Sequence, residues 1–240
     1  MNRFILTLTL LLSTTIIFAS ERPDYSKWTT LLERHVTSSG NVNYKGFMDD
    51  IHDFDEFLIE LREKAPQGDW SSAEKKAFYI NAYNAYTIKF IITKYPVKSP
   101  KDCKFSGKDL WHFKMVLIGP QRYTLDWIEN GILRKMGDPR IHFAINCASY
   151  SCPKLMNEAF VPEKMEQQLN QVTRSFVNDP SKNRFERESI QLSELFKWYR
   201  KDFTKEGSLL EYINQFLKNP INMDADIDFL DYDWSLNDAK

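Results

Sequence analysis

The amino-acid sequence predicts an α+β fold: a single domain, mostly helical, with a small mixed or antiparallel sheet. Many segments carry apolar residues at helical spacing, a few short segments have the pattern of strands, and the two kinds do not alternate strictly. The chain has 240 residues, 42% hydrophobic and 27% charged, which is typical of one soluble globular domain. The net charge of -1 argues against a nucleic-acid partner. The sequence has no glycine-rich phosphate-binding motif, and we expect no cofactor.

The first 19 residues form a segment of their own. Arg3 precedes an uncharged apolar run over 4–19, and the sequence turns polar at Glu21. This order is typical of a secretory signal peptide, so we expect cleavage near Ala19 and a periplasmic or secreted protein whose single domain spans 20–240. A membrane span needs about 20 apolar residues, so the run is short for one, and we expect no membrane span after cleavage. An uncleaved anchor is the alternative.

Three helices are predicted in the first hundred residues. Apolar residues recur every three or four positions over 25–36 and again over 51–61, which is the pattern of helices with one buried face. A third helix begins after Ser71, because Ser71 and Glu74 form a capping box. This helix ends before Pro96, since the residue preceding a proline disfavours helical geometry.

The second half of the chain contains both strands and helices. A hairpin is expected around Gly119-Pro120, because extended segments flank this turn-forming pair. Thr124 is placed to cap a helix over 125–136 that carries Glu129. Further along, the sequence predicts a helix from Pro162 to about 177, a short aromatic helix opened by Ser193, a helix from the capping box of Ser208 and Glu211 to Lys218, and a last strand over 227–229.

One mid-chain segment, RIHFAINCASYSCP over 140–153, holds most of the reactive side chains. Apolar residues alternate with smaller or polar ones from Ile141 to Asn146, and this period of two predicts a strand with one apolar face. Such a strand places Cys147 at its end, and Cys152 follows after a short loop. In an exported protein a pair of cysteines tends to bridge, and the third is left over.

Several pieces of the chain together resemble one family. They are FYINAYNAYTIKFI (78–91) followed by YPVKS, TLDWIENGILR (124–134), DPRIHFAINCASYSCPKL (138–155), LFKWYRKDF (195–203) and FLDYDWSLN (229–237). These motifs, spread over about 44–237, are similar to the family catalogued as Domain of Unknown Function 547. The resemblance implies the extent of the domain but no reaction. The chain departs from the family pattern at Asn130, where many relatives have histidine, so no imidazole is implied at that position.

The first hypothesis for the cysteine segment is a thiol nucleophile, which needs a base within hydrogen-bond reach and a lowered pKa. In a regular strand Cys147 and His142 point to opposite faces, about 16 Å apart at ~3.3 Å per residue. Cys152, by contrast, can return toward His142 through the intervening loop, and Glu129 can orient the imidazole. We therefore expect a thiol- or histidine-dependent hydrolase or acyl-transferase with Cys147, Cys152, His142 and Glu129 as catalytic residues.

Four further polar residues are candidates for binding groups in the same cleft: Asn81, Asn84, Arg140 and Asn146. Asparagine is unfavourable in a helix interior, yet Asn81 and Asn84 share one face of the third helix. In the functional interpretation these groups bind the ligand and stabilise an oxyanion. In the structural interpretation the amides tie neighbouring loops to the helix, as buried amides usually do. The ligand class expected is a small molecule, a peptide or a glycan.

The alternative function is a non-catalytic envelope domain that binds a partner. In it Cys147 and Cys152 form a structural disulfide, which across so short a loop stabilises by on the order of 2 kcal/mol and removes both nucleophiles. His142 is then a core histidine bonded to a carboxylate such as Glu129. We predict no metal, because the spacing of the two cysteines is at the edge of the range for zinc ligands and a histidine on a rigid strand does not easily join both.

Overall fold

A computed structural model of the protein describes residues 20–186 and 189–239. The predicted signal segment over 1–19 lies outside the described residues. Of the helices that are described, none combines the length and the apolar character that a membrane span requires. The described chain combines helices with short strands, so the predicted α+β class is confirmed.

Most elements begin where the capping residues and apolar spacing predict. The helices are α1 (Ser26–His35), α2 (Tyr44–Asp49), α3 (Ile51–Glu63), α4 (Ser72–Lys94), α5 (Met165–Val177), α6 (Glu194–Trp198), α7 (Arg200–Phe203) and α8 (Leu209–Asn214). The strands are β1 (Lys104–Phe105), β2 (Lys108–Asp109), β3 (Val116–Ile118), β4 (Gln121–Tyr123), β5 (Arg184–Phe185), β6 (Ser189–Ser193) and β7 (Asp226–Leu230). Short 3-10 turns occur at Pro100–Asp102, Arg134–Met136, Pro139–Phe143 and Pro162–Lys164.

Helix α4 forms the centre of the hydrophobic core. Its predicted capping box is present: Ser71 Oγ accepts a hydrogen bond from the N–H of Glu74, and the Glu74 carboxylate accepts one from the N–H of Ser71. Most of its side chains from Ala77 to Ile92 are buried, as expected of a helix enclosed by other elements. The helix contacts α2, α3, α5 and the segment that carries Glu129. Its interior face therefore reaches the candidate site.

The sheets are small and of both predicted kinds. Strands β3 and β4 form the predicted antiparallel hairpin, and Gly119 in its turn has a φ of +57°. Strands β5 and β6 are antiparallel while β6 and β7 are parallel, so this sheet is mixed. Because β7 contacts α6 as well as β6, the aromatic residues that follow it, Tyr232 and Trp234, return to the side chain of Trp198.

The helix predicted after Thr124 forms, but it is π-helical over Trp127–Leu133. Thr124 Oγ1 accepts a hydrogen bond from the N–H of Trp127 at 2.9 Å, so the predicted cap is confirmed. Gly131 passes close to the Trp127 ring, where a Cβ atom would lie 2.7 Å from the indole. Single π-helical turns occur frequently at functional sites, and this one carries the buried side chain of Glu129.

The prediction of a strand over 141–146 is wrong. The segment is a 3-10 turn, Pro139–Phe143, followed by an irregular stretch. Asp138 caps the turn by accepting a hydrogen bond from the N–H of Arg140 at 3.1 Å, and a proline at the first helical position has a suitable φ. All residues over 141–146 are buried, so the alternation in the sequence does not separate an inner from an outer face.

Candidate active site

One cavity of about 330 Å³, which we name the cysteine cleft, collects the four residues predicted to be catalytic. Glu129, His142, Cys147 and Cys152 all line it, although the strand that was expected to bring them together does not exist. The rest of the lining is mostly aromatic and includes Tyr83, Trp111, Trp198, Tyr199, Tyr232 and Trp234. The reactive side chains therefore lie in a largely apolar setting, in which electrostatic interactions are stronger than in water.

The sulfur of Cys147 has hydroxyl groups around it. Ser149 Oγ lies 3.0 Å and the Tyr232 hydroxyl 3.4 Å from Sγ, and the two hydroxyls are themselves 2.9 Å apart. Burial alone raises the pKa of the Cys147 thiol, but hydrogen bonds from Cys152, Ser149 and Tyr232 outweigh burial and bring the pKa below its ordinary value. Cys147 is half-buried, so this thiol combines access from the cleft with the ionisation that a nucleophile needs.

Cys152 has the opposite character. Its sulfur accepts a hydrogen bond from the N–H of Cys147 at 2.9 Å, and its side chain is buried. Burial and the neighbouring Cys147 thiol together raise the pKa of Cys152 well above its ordinary value. All three cysteines are free thiols in this structure, and Cys103, which does not line the cleft, has a pKa raised to about 11 by burial.

A network of amides shapes the cysteine loop. Ala148 has a φ of +66°, a conformation that needs outside support in a residue with a side chain. Asn146 supplies it: its Oδ1 accepts a hydrogen bond from the N–H of Ala148 at 2.8 Å, and its Nδ2 donates to the Pro153 carbonyl at 2.7 Å. Asn84 in turn accepts from the N–H of Asn146 at 2.8 Å and donates to the Ala144 carbonyl at 3.0 Å. Asn84 and Asn146 thus hold the loop, as the structural interpretation of these amides predicts.

The other two predicted binding residues also lie outside the cysteine cleft. Asn81 donates to the carbonyl of Phe160 at 2.7 Å and accepts from its N–H at 3.0 Å, so its amide ties a loop to α4. Arg140 pairs with Asp138 and Glu166 at 2.8 and 2.9 Å. The oxyanion donors expected from these residues are therefore not in the cleft, and the hydroxyls of Ser149 and Tyr232 are the side-chain donors beside the Cys147 sulfur.

The acid that contacts His142 is Asp202, not Glu129 as expected from the sequence. Nε2 of His142 lies 2.9 Å from Oδ2 of Asp202, and Arg134 Nε donates to the same oxygen at 2.7 Å. Burial raises the pKa of Asp202, but hydrogen bonds from Arg134 and His142 outweigh it and the net shift is downward. Because an ionised carboxylate only accepts hydrogen bonds, Nε2 of His142 carries the hydrogen.

The other nitrogen of the His142 ring, Nδ1, is buried and has no hydrogen-bond partner among residues 20–186 and 189–239. In the neutral ring it is a bare acceptor, because the hydrogen resides on Nε2. Burial lowers the pKa of His142 to about 4, against the opposing effect of Asp202. The imidazole is therefore neutral at pH 7, with its free lone pair on a residue that lines the cleft.

Glu129 is held by two tyrosines. The Tyr199 hydroxyl donates to its Oε1, and the Tyr83 hydroxyl donates to its Oε2 at 3.3 Å. Burial raises the pKa of Glu129, and these two hydrogen bonds oppose the rise. Tyr199 separates the two predicted partners, because its ring also stacks on His142.

Sequence reasoning missed several partners of the predicted catalytic residues, and three of them lie in the last quarter of the chain: Tyr199, Asp202 and Tyr232. The first two lie in the quoted motif LFKWYRKDF and the third in FLDYDWSLN, so the motifs marked the right segments without saying what they contact. Among the side chains over 20–186 and 189–239, no group of three or more His, Cys, Asp or Glu residues converges as metal ligands do.

A family model described as "Protein of unknown function, DUF547" matches residues 68–177. That range contains the four predicted catalytic residues but neither Asp202 nor Tyr232. Searches of curated proteins and of solved structures give no match.

Proposed function

Over residues 68–177 the chain belongs to the DUF547 family, and from that premise we propose that it is an exported, thiol-dependent enzyme that hydrolyses or transfers an acyl group. One observation carries the proposal: the Cys147 thiol, with its pKa lowered by neighbouring hydrogen bonds, lines a cleft of about 330 Å³. A lowered thiol pKa and access from a cleft are the two properties that a cysteine nucleophile needs.

In the proposed reaction the Cys147 thiolate attacks the carbonyl carbon of an ester, thioester or amide. A carbon–sulfur bond forms, the bond to the leaving group breaks, and the leaving group keeps the electron pair and takes a proton from solvent water. The hydroxyls of Ser149 and Tyr232, 3.0 and 3.4 Å from the sulfur, lie beside the oxygen that becomes negative. Water or another acceptor then attacks the thioester, and the thiolate returns.

His142 and Glu129 have different tasks in this proposal. The ring of His142 forms part of the cleft wall, and the hydrogen bond to Asp202 fixes the tautomer with the hydrogen on Nε2. With a pKa of about 4 the ring is too weak a base to hold a proton at neutral pH. Glu129 positions Tyr199 and Tyr83 rather than the imidazole.

The substrate class follows from the lining of the cleft. Its aromatic walls suit an apolar acyl chain, the flat face of a sugar or a side chain of a peptide. We therefore keep a small molecule, a peptide or a glycan as the ligand classes, each carrying the acyl bond.

Export is proposed on the pattern of residues 1–19. Cell fractionation with antibody detection tests it, with a variant that lacks 2–19 as the control. Recovery of the full chain outside the cytoplasm, together with retention of the shortened chain inside, supports export. Equal distribution of both forms rejects it.

The experiment for the activity uses p-nitrophenyl acetate and the purified reduced protein. We expect a burst of p-nitrophenol that matches the enzyme concentration, followed by slower turnover, and an acetyl group on Cys147 identified by mass spectrometry. The Cys147→Ala variant should show no burst, and Cys103→Ala should behave as wild type. Labelling spread over several residues, or a burst that survives Cys147→Ala, rejects the proposal.

The second candidate function is a non-catalytic envelope domain that binds a partner. The close approach of the Cys147 backbone to the Cys152 sulfur favours it, because the two residues that would form the bridge are neighbours in the folded loop. Titration of thiols in protein isolated from the exported fraction without reductant distinguishes the two. A disulfide that resists mild reduction supports the binding domain, whereas two titratable thiols support the enzyme.

A further inference from the structure

A second imidazole reaches the cysteine cleft from a part of the chain that the proposed reaction has not used. His112 lines the cleft and belongs to the turn between β2 and β3. Its side chain is 63% exposed, so it contacts solvent, unlike the buried ring of His142. We propose that His112, held by Asp109, is the general base that removes the acyl group from Cys147; this inference rests on the proposed function.

Asp109 holds the imidazole in one orientation. Its Oδ1 lies 2.8 Å from Nδ1 of His112 and also accepts a hydrogen bond from the backbone N–H of His112 at 3.0 Å. Burial raises the pKa of Asp109, but these hydrogen bonds outweigh it and the net shift is downward. The ionised carboxylate accepts the Nδ1 hydrogen, so Nε2 is left with the lone pair that a general base uses. The arrangement is the imidazole–carboxylate pair of a base with its orienting acid.

The other ionisable groups of the cleft are less suited to the task. His142 has its pKa lowered to about 4, so it binds a proton too weakly at neutral pH. Glu129 is enclosed by the hydroxyls of Tyr83 and Tyr199. Oδ1 of Asp126 accepts a hydrogen bond from Asn130 at 2.8 Å. His112 is the group in the lining that is both exposed and oriented by a carboxylate.

A continuous aromatic wall leads from His112 to the nucleophile. Trp111, the residue before His112, packs edge-on against Trp234 at 5.9 Å between ring centroids. Trp234 contacts Tyr232 at 4.6 Å, and the Tyr232 hydroxyl lies 3.4 Å from the Cys147 sulfur. The turn that carries His112 is thus part of the same wall that reaches the Cys147 sulfur.

The deacylation step consumes one water molecule. Nε2 of His112 takes a proton from a water molecule whose oxygen attacks the thioester carbon. A carbon–oxygen bond forms, the carbon–sulfur bond breaks, and the electron pair stays on the Cys147 thiolate. The protonated imidazole then releases its proton to solvent. When an alcohol or amine replaces water, the same step transfers the acyl group instead.

The test separates acylation from deacylation with p-nitrophenyl acetate as the probe. We expect His112→Ala to keep the burst amplitude of the wild type, because Cys147 forms the thioester without it. Steady-state turnover should fall by about 100-fold, the lower end of the range for general base catalysis. Added imidazole should restore part of the turnover of His112→Ala, and Asp109→Asn should lower turnover with the burst intact.

The control is His52→Ala, which removes a histidine whose side chain is 86% exposed on α3 and which should leave both phases unchanged. Near-ultraviolet circular dichroism checks that each variant is folded. Wild-type turnover in His112→Ala, or an equal loss of burst and turnover without imidazole rescue in the folded variant, overturns the assignment of His112. Absence of a burst in the wild type rejects the proposed function and, with it, this inference. A wild-type burst combined with either of the His112→Ala results above rejects only the assignment of His112.

Discussion

Tyr199 lies flat against His142, with ring centroids 3.8 Å apart and ring planes inclined by 22°. The same tyrosine donates its hydroxyl to Glu129. One side chain therefore stands between the two residues that the sequence was expected to join by a hydrogen bond. Glu129 and His142 each hydrogen-bond to different residues, and Tyr199 is the side chain that contacts both of them.

Replacing Tyr199 by phenylalanine keeps the stack on His142 but removes the hydroxyl that Glu129 accepts. The loss should raise the pKa of Glu129 further, because that hydrogen bond opposes the effect of burial. Leaving a buried carboxylate one partner short should lower the free energy of unfolding by about 1–3 kcal/mol. Denaturation with urea at pH 7 measures this loss. Tyr150→Phe is the control, since Tyr150 is exposed; equal stability of the two variants contradicts the role given to the Tyr199 hydroxyl.

The cysteines should differ in the pH dependence of their alkylation. Only the thiolate reacts, and the pKa of Cys147 is lowered whereas that of Cys103 is raised to about 11. As pH rises, iodoacetamide should therefore label Cys147 with a midpoint below that of a free cysteine, and Cys103 with a midpoint above it. Peptide mass spectrometry of samples quenched at each pH measures the order. Equal midpoints for the two cysteines would contradict the activation of Cys147.

His142 should make the protein less stable as the pH falls. Its pKa is lowered to about 4 in the folded protein, below the ordinary value of 6.5, so between these values the unfolded chain binds more protons than the folded one. The resulting stability is fully present above pH 6.5 and is lost as the pH falls toward 4. At pH 5 the loss from this group should be about 2 kcal/mol.

Urea denaturation of the wild type and of His142→Gln at pH 7 and pH 5 measures this contribution. The variant has lower stability at pH 7 but should lose less on acidification, because the residue that gains the proton is gone. His52→Gln serves as the control and should follow the wild type. A pH dependence of His142→Gln as steep as that of the wild type would assign the effect to other groups.

Local structure could be predicted from the sequence more accurately than contacts between segments that are far apart in the chain. The capping box of Ser71 and Glu74 marks the start of α4, because such signals act between residues a few positions apart. The segment 141–146 was misassigned because both of its sides are buried, so its alternation carried no information on faces. Asp202 lies 60 positions from His142, and no local rule selects it over the nearer Glu129.

The candidate site was predicted in outline because its residues are reactive types crowded into one segment. The sequence did not show that the side-chain amides of the asparagines form their hydrogen bonds with backbone groups instead of with a ligand. That depends on the path of the cysteine loop, in which Asn146 supports the positive φ of Ala148. The asparagines predicted in a helix interior, Asn81 and Asn84, therefore lie on an element that contacts the site, but they do not line the cleft.

Asn84 should be important for stability and, through the loop, for reactivity. Asn84→Ala leaves the N–H of Asn146 and the carbonyl of Ala144 without partners in the buried interior. The free energy of unfolding should fall by about 2–4 kcal/mol, since each unsatisfied buried group costs about 1–3 kcal/mol. Asn222→Ala, at an exposed position, should change it by less than about 0.5 kcal/mol. A loss for Asn84→Ala as small as that of the control contradicts the network.

The two thiols of the cleft should act as a reversible off-switch for acyl transfer. The Cys152 sulfur lies 2.9 Å from the backbone nitrogen of Cys147, and the pKa values of the two thiols are shifted in opposite directions. The Cys147 thiolate is therefore the one that attacks an oxidant, and Cys152 then closes the bridge.

Diamide, which takes up the two hydrogen atoms that the thiols lose, should abolish the p-nitrophenol burst, and dithiothreitol should restore it. Peptide mapping should show a Cys147–Cys152 disulfide in the oxidised protein. In Cys152→Ser the bridge cannot form, so no such linked peptide should appear, whereas Cys103→Ser should respond as the wild type does. Only a thiolate attacks the ester, and a sulfur in a disulfide is not a thiolate. A burst that survives complete oxidation of the wild type would therefore show that Cys147 is not the nucleophile.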